Sequence, residues 1–324
     1  MQETKDPALS QADSLTSLDE AFQHAPSSLW RDALRHLIRK RSAIVGMVLL
    51  GILLFIAIFH PLLATFDPNV PMLDIPEQVA MGVKKRMPPC IHLLGCPADQ
   101  PEHILGLDGN VRDFYSRMLY GSKWSLIIGF TTMGFAIIVG TILGAVGGYA
   151  GGWLDNLIMR FMDVLLAFPS LILAIAIVSV LGPGLINALL AIGIVYIPVY
   201  ARIVRASVLS VRETDYVEAD RALGVSPARL LFHRILPNAL TPLIVQGTLG
   251  IATAILDAAA LSFLGLGAQP PMPEWGSMLG AERNQVLSAP HLVFFPGIAI
   301  MLTVLGFNLL GDGLRDALDP RLNR

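Results

Sequence analysis

Cys90, His92, Cys96 and His103 form the densest group of potential ligands or redox groups in this chain. In an oxidising compartment Cys90 and Cys96 would close a small disulfide loop. The alternatives are free thiols, or a metal site shared with the two histidines, whose spacing matches no standard pattern. Asp257 is the other residue with chemical consequence, because it is the one acid in the apolar stretch from Pro242 to Gly267. A carboxylate inside a membrane span costs several kcal/mol unless it is paired or wetted. Asp257 therefore either lines a pathway, with Gln246 as a second candidate, and meets a cationic group of a solute, or it makes a structural pair within the bundle or with a partner subunit. Nothing matches G-x-x-x-x-G-K-[ST], H-E-x-x-H or G-x-S-x-G, so no phosphate cradle, zincin site or nucleophile elbow is expected, and no residue is assigned a catalytic or metal-binding role.

The elements that must hold these residues are set by composition. Of the 324 residues 54% are hydrophobic and only 15% charged, with a net charge of −2, against about 25% charged in a soluble domain. Mean hydropathy is +0.61. No basic surface is left that could track a phosphate backbone, so no nucleic-acid partner is expected. About 20 apolar residues cross a bilayer, and such windows run from about Ile44 to Phe66, Trp124 to Tyr149, Pro242 to Gly267 and Val286 to Gly311. The charge-free run from Asp163 to Arg202 is broken at Gly182-Pro183-Gly184, which makes it two helices. The fold class expected is an all-α membrane protein of six transmembrane helices.

Basic residues near the span ends orient the bundle. Arg31, Arg35, Arg39, Lys40 and Arg41 precede the first span, Arg202 to Arg234 fill the loop between the fourth and fifth, and Arg315, Arg321 and Arg324 follow the sixth. All three regions, and so both termini, are expected in the cytoplasm. Residues 1–28 read as a flexible tail and 29–43 as a basic amphipathic helix, lying on the inner membrane face or packed on the bundle end. Residues 44–66 form the first span, 67–123 an external loop, 124–311 the core with a loop at 209–240, and 312–324 a tail. The run Asp67 to His103, with seven prolines, is expected to be irregular and exposed. His60, Arg160 and Asp163 read as polar residues at span ends.

The loop at 209–240 has the strongest local signals. Thr214 to Gly224 reads as a short helix capped by Asp215, with Glu218 three residues on and Gly224 ending it. Ser226 and Pro227 then open a second helix bounded by Pro237. With Ala219, Ala222 and Leu223 on one face, the pair suits docking into a groove of another protein, or is a merely solvated loop. In the second span Ala136, Gly140, Gly144 and Gly148 recur every four residues, a small-residue packing stripe that faces its own bundle or a partner subunit.

Glu218-Ala219-Asp220, with Gly224 six residues after the Glu and Leu236-Pro237 beyond, resembles the EAA loop of permease subunits of binding-protein-dependent ABC importers. From about Leu105 onward the chain is similar to the dipeptide, oligopeptide and nickel branch: Leu105-Gly106-Leu107-Asp108 with Arg112-Asp113, Tyr120-Gly121-Ser122-Lys123-Trp124-Ser125-Leu126, Ala167-Phe168-Pro169-Ser170, Ala260 to Gly267 with Trp275-Gly276, and Asn308 to Pro320. The resemblance implies a pore-forming subunit in a prokaryotic plasma membrane. It also implies a second homologous permease subunit, two cytoplasmic ATP-binding subunits that carry ATP and Mg, and an external substrate-binding protein, with no cofactor bound by this chain. Glu218, Ala219, Asp220, Ala222, Leu223 and Gly224 would then couple to the ATPases. Peptides are the expected solute; nickel complexes and short sugars stay open. Departures from the pattern are Asp220 in place of Ala, Arg234 in place of Ile, Val111 in place of Gly, and Asp257-Ala258 in place of Ala-Glu. The alternative is a self-sufficient secondary carrier with Asp257 as its ion-coupling site, against which the spans lack paired Gly/Pro-broken helices.

Overall fold

Apolar stretches free of charge satisfy their backbone internally as helices, and a computed structural model shows this over residues 37–318, the residues the structure describes. The tail at 1–28, most of the helix expected over 29–43 and the end of the C-terminal tail lie outside the described residues. We number the principal helices α1 (Arg41–Leu63), α2 (Phe114–Ala150), α3 (Gly152–Leu166), α4 (Ser170–Leu181), α5 (Leu185–Arg212), α6 (Asp215–Ala222), α7 (Thr241–Phe263), α8 (Trp275–Glu282) and α9 (His291–Leu318). The chain is an all-α membrane protein. Five helices, α1, α2, α5, α7 and α9, are each long and apolar enough to cross a membrane, and α3 with α4 makes a sixth only if their 93° bend is taken as one broken span.

That bend is where the third expected span departs from a straight helix. Ala167 N–H closes α3 on the carbonyls of Asp163 and Val164, and Leu173 N–H opens α4 on the carbonyl of Pro169. Pro169 has no N–H to carry the ladder through, so the helix axis turns there. The second span starts ten residues earlier than hydropathy places it. The Asp113 carboxylate caps it by accepting the Ser116 N–H at 2.8 Å. The 37 residues of α2 extend about 55 Å, well past the hydrocarbon core. Arg117 in its first turn is buried because its guanidinium donates to the carbonyls of Pro68 and Pro271 at 2.8 and 3.2 Å.

Small residues set the closest approach in the bundle. Gly140, Gly144 and Gly148 face α5 of the same chain, where a Cβ on Gly140 would press on Tyr200 and one on Gly148 on the Arg205 carbonyl and Val208, and Ala136, a turn before Gly140, is fully buried. At Gly144 a Cβ would overlap the Ala201 carbonyl oxygen. The helix α8 lies against α7, with Gly276 on the Ala259 backbone, and its Trp275 Nε1 donates to the Met118 carbonyl of α2 at 3.1 Å.

The proline-rich segment from Asp67 to His103 is mostly exposed and irregular, as expected, with only a five-residue helix and two short 3-10 turns, but a few buried side chains anchor it. Met72, Val83, Leu107 and Val111 make a small buried core. Cys90 and His103 exchange backbone hydrogen bonds of 2.9 and 3.0 Å. The His103 ring, 1% exposed, lies 2.9 Å from Asp113 and 3.2 Å from Gln78. Arg86 pairs with Glu282 at 2.8 Å, and the same carboxylate accepts the Gly109 N–H at 2.9 Å. Prolines broke the period that would have revealed a core, yet four spaced apolar side chains and buried polar pairs hold the segment onto α2 and α8. Val111, which replaces a glycine of the pattern, stands at φ +60, a backbone region costly for a β-branched residue. Its side chain, 1% exposed, fills the small core.

Candidate functional site

The loop after α5 is a helical hairpin. Thr214 has the extended N-cap backbone, with Asp215 as the first helical residue, so Asp215 does not cap α6; the Thr214 hydroxyl donates instead to the Val211 carbonyl at 2.7 Å. At the other end Gly224 N–H bonds Arg221 O and Val225 N–H bonds Asp220 O, both at 3.1 Å. This is the paired closure of a Schellman motif, and it requires the left-handed backbone found at Gly224, φ +79. Ser226 and Pro227 open the second arm through the backbone: the Ser226 carbonyl accepts from Leu230 N–H at 2.9 Å, and the Ser226 side chain makes no cap bond.

Pro237 does not bound the second arm. Residues Leu230–Ile235 form a π-helical turn, with Leu236 N–H bonded to Leu231 O, and the arm continues over Leu236–Ala239. The wider turn takes the proline ring clear of the carbonyl it would strike in α-helix.

The hairpin has one face seated and one face open. Val217, Leu230, Leu231 and Ile235 are buried against the bundle. Glu218, Ala219, Ala222, Leu223 and Gly224 are exposed, Leu223 to 82% and Phe232 to 57%. Asp220 pairs with Arg234 across the two arms at 3.0 Å, and Asn238 donates to the Tyr216 hydroxyl at 3.2 Å. The hairpin is also tied to the bundle above it. Arg212 Nη1 donates to the carbonyls of Gly148 and Tyr149 at 3.2 and 3.3 Å, meeting the negative end of α2. Arg205 holds Asp155 of α3 by two bonds of 2.6 Å, and the exposed pair Arg202 and Asp163 adds a contact of 2.5 Å.

Asp257 is half-buried on α7 and accepts a hydrogen bond from the Tyr196 hydroxyl of α5 at 2.9 Å. Thr253, exposed, lies one turn before it. Gln246 lies on the same stripe of α7, half-buried, and its carbonyl accepts from the Tyr200 hydroxyl at 3.3 Å. Neither Asp257 nor Gln246 has a hydrogen bond or ion pair with the hairpin residues, and Cys90 and Cys96 form a separate loop closed by a disulfide with Cα atoms 5.4 Å apart. Among the described residues no group of three or more His, Cys, Asp or Glu could hold a metal.

The profile of the binding-protein-dependent transport system inner membrane component matches residues 136–324. The chain belongs to this permease family. A second profile, the N-terminal TM domain of oligopeptide transport permease C, matches residues 28–89. The permease is 49% identical over 300 residues to a dipeptide transport system permease protein DppC of Alkalihalophilus pseudofirmus, covering 93% of this chain and 92% of the relative. It is 45% identical to a di/tripeptide permease DppC of Pseudomonas aeruginosa, covering 87% and 89%. It is 49% identical over 220 residues to a glutathione transport system permease GsiD of Pectobacterium atrosepticum, covering 68% and 73%. The fold is also like a chain of the MetNI methionine ABC transporter in an inward-facing conformation, with a TM-score of 0.52, 19% identity, and coverage of 63% of this chain and 96% of that one. Membership of this permease family leaves the secondary-carrier alternative without support.

Sequence reasoning missed Tyr196, Arg205 and Arg212 in this permease. Arg205 and Arg212 counted only as positive charge in a loop, and Tyr196, 61 residues from Asp257, carried no local signal. A polar aromatic one helix away from an intramembrane acid was the one available clue.

Proposed function

We propose that this permease subunit takes up short peptides delivered by an external binding protein, in an importer driven by two cytoplasmic ATP-binding subunits and completed by a second homologous permease. ATP and Mg belong to the ATP-binding subunits. The hairpin and both termini face the cytoplasm of a prokaryotic cell, and the folded segment at 67–113 faces outward. Relatives named for dipeptides and tripeptides that cover most of the chain support the solute class.

The observation that carries the mechanism is the hairpin's division into a seated face and an open face at the end of α5. Glu218, Ala219, Asp220, Ala222, Leu223 and Gly224 dock into the ATP-binding subunit. When ATP closes the two ATPases the hairpin moves with them as a rigid piece. Arg212 on the α2 carbonyls and Arg205 on Asp155 pass that movement to α2 and α3 as well as α5. Asp257, Tyr196 and Gln246 belong to the solute pathway: a carboxylate on an open face of α7 needs water or a partner rather than lipid, and it offers a counter-charge to a peptide ammonium.

Reconstitution of the whole complex with its binding protein tests this reading. ATP-dependent, vanadate-sensitive uptake of a dipeptide is the expected result, reduced at least tenfold by Asp257→Asn with ATP hydrolysis retained. Uptake that follows a proton gradient and ignores vanadate would sink it.

A further inference from the structure

The motif Tyr120-Gly121-Ser122-Lys123-Trp124 has no part in the hairpin or in the Asp257 face. It lies at the end of α2 opposite the hairpin, since α2 meets the hairpin-bearing end of α5 at Gly148. There the chain forms a cleft of about 420 Å3 lined by Pro68, Asn69, Tyr120, Lys123, Trp124 and Gln269, and walled by Pro271, Met272 and Pro273. That size is within the roughly 300–1,000 Å3 of small-molecule sites.

Three residues that carry hydrogen-bond donors line it, none of them with an acceptor among the described residues. Lys123 is exposed, its ammonium 6.0 Å from the centre of the Trp124 ring. Among the described residues Lys123 has no carboxylate within ion-pair distance, as is also true of Lys84 and Lys85 in the segment before α2, but of these only Lys123 lines the cleft. Neither the Tyr120 hydroxyl nor the Trp124 indole N–H has a hydrogen-bond acceptor among the described residues, while the Tyr120 ring is fixed edge-on against His60 with centroids 4.3 Å apart. The walls are rigid: Pro271 and Pro68 are fastened by their carbonyls to buried Arg117. An unpaired cation, two unpaired donors and proline and aromatic walls suit a carboxylate attached to a short apolar body.

We propose that this cleft is a receiving site for the free carboxylate end of a short peptide, held by Lys123 with Tyr120 and Trp124 flanking it. The proposal rests on the peptide reading above. A peptide bound there by its carboxylate leaves its ammonium free to proceed toward Asp257.

The test uses the assembled complex in phosphatidylcholine nanodiscs without binding protein, carrying Asn69→benzoylphenylalanine. Crosslinking to radiolabelled dialanine is competed with unlabelled dialanine or dialanine amide. The amide is expected to compete at least tenfold more weakly; Lys123→Gln should abolish that discrimination and Lys123→Arg should keep it. Equal competition by both peptides, discrimination that survives Lys123→Gln, or the absence of a competed crosslink would overturn the proposal. Loss of the crosslink in phosphatidylglycerol discs, at peptide concentrations that saturate it in phosphatidylcholine, would reassign the site to a lipid phosphate. Dialanine uptake with binding protein and ATP is read in parallel. Failure there with carboxylate-selective crosslinking intact refutes the peptide-importer reading and supports the cleft, whereas uptake without selectivity refutes the cleft alone.

Discussion

The Asp220 carboxylate lies 3.0 Å from Nε of Arg234, joining the two arms of the hairpin. Each residue departs from the family pattern, one replacing Ala and the other Ile, and the two departures meet. A charge alone on either arm would add an unpaired group beside the docking face, while the pair neutralises itself and braces the arms. Arg234 is 56% exposed, so the pair is screened and is worth no more than about 1 kcal/mol. Asp220→Arg should therefore lower ATP-driven uptake about two- to fivefold through repulsion with Arg234, and the exchange Asp220→Arg with Arg234→Asp should restore most of it. An exchanged variant no better than the single one would show that Asp220 acts on the ATPase subunit rather than on Arg234.

Gly224 separates backbone strain from crowding. It stands at φ +79 with nothing within 4 Å of a Cβ built there, so any substitution pays through the backbone alone. A β-branched residue in the left-handed region pays about 1–2 kcal/mol and asparagine pays least. Gly224→Val should lose the ATP-binding subunits on purification in mild detergent, while Gly224→Asn should keep most of them. Equal recovery with both variants would remove the turn geometry from the coupling argument.

The hairpin was legible because its signals are local: a glycine six residues after an acid, a serine before a proline, a proline near the end. Its errors were local too. Thr214 rather than Asp215 takes the N-cap because its extended backbone carbonyl accepts the first helical N–H, from Glu218 at 3.2 Å, and the π-helical turn admits Pro237 where an α-helix would stop. Hydropathy found α1 and α7 within about four residues, but it ended α5 ten residues early at Arg202 and set α9 five to seven residues too early. It could not see the first ten residues of α2, since Arg117 and Lys123 read as polar although Arg117 is buried on two carbonyls. Pro169 was visible, but a charge-free run gave no reason to turn the chain by 93° there. The pair Tyr196 and Asp257, like Arg86 and Glu282, depends on elements far apart in the chain, and no spacing in the sequence encodes it.

Glu274 links pH to stability. It is 2% exposed, and its two carboxylate oxygens accept the N–H groups of Gly276 and Ser277 at 2.8 Å, which caps α8. Burial pushes its pKa above the ordinary glutamate value, with the two backbone hydrogen bonds pulling the other way. A carboxyl raised in the folded state binds more protons folded than unfolded, so its contribution is full below the ordinary glutamate pKa and declines as pH rises through the folded value. Glu274→Gln loses one cap bond, a cost of about 1 kcal/mol, but removes that titration. In thermal unfolding the wild type should lead the variant by most near pH 4 and by progressively less toward pH 8. A lead that widens with pH would reverse the sign of the argument.

Two glycines of one helix isolate the packing between α2 and α5. A Cβ at Gly144 would overlap the Ala201 carbonyl oxygen, while at Gly134 a Cβ meets nothing within 4 Å. Both residues lie in the middle of α2, so valine brings the same change in helix propensity at each and the difference between the variants reports packing alone. Gly144→Val must push α5 away from α2 and with it the Tyr200 contact to Gly140; overpacking of this kind costs about 1–3 kcal/mol. Gly134→Val should unfold within a degree or so of the wild type in detergent, while Gly144→Val should unfold several degrees lower. Because α5 carries the hairpin, Gly144→Val should also hydrolyse ATP with less uptake per turnover when the complex is assembled. Equal unfolding temperatures for the two variants would mean that the small-residue stripe does not set the distance between α2 and α5.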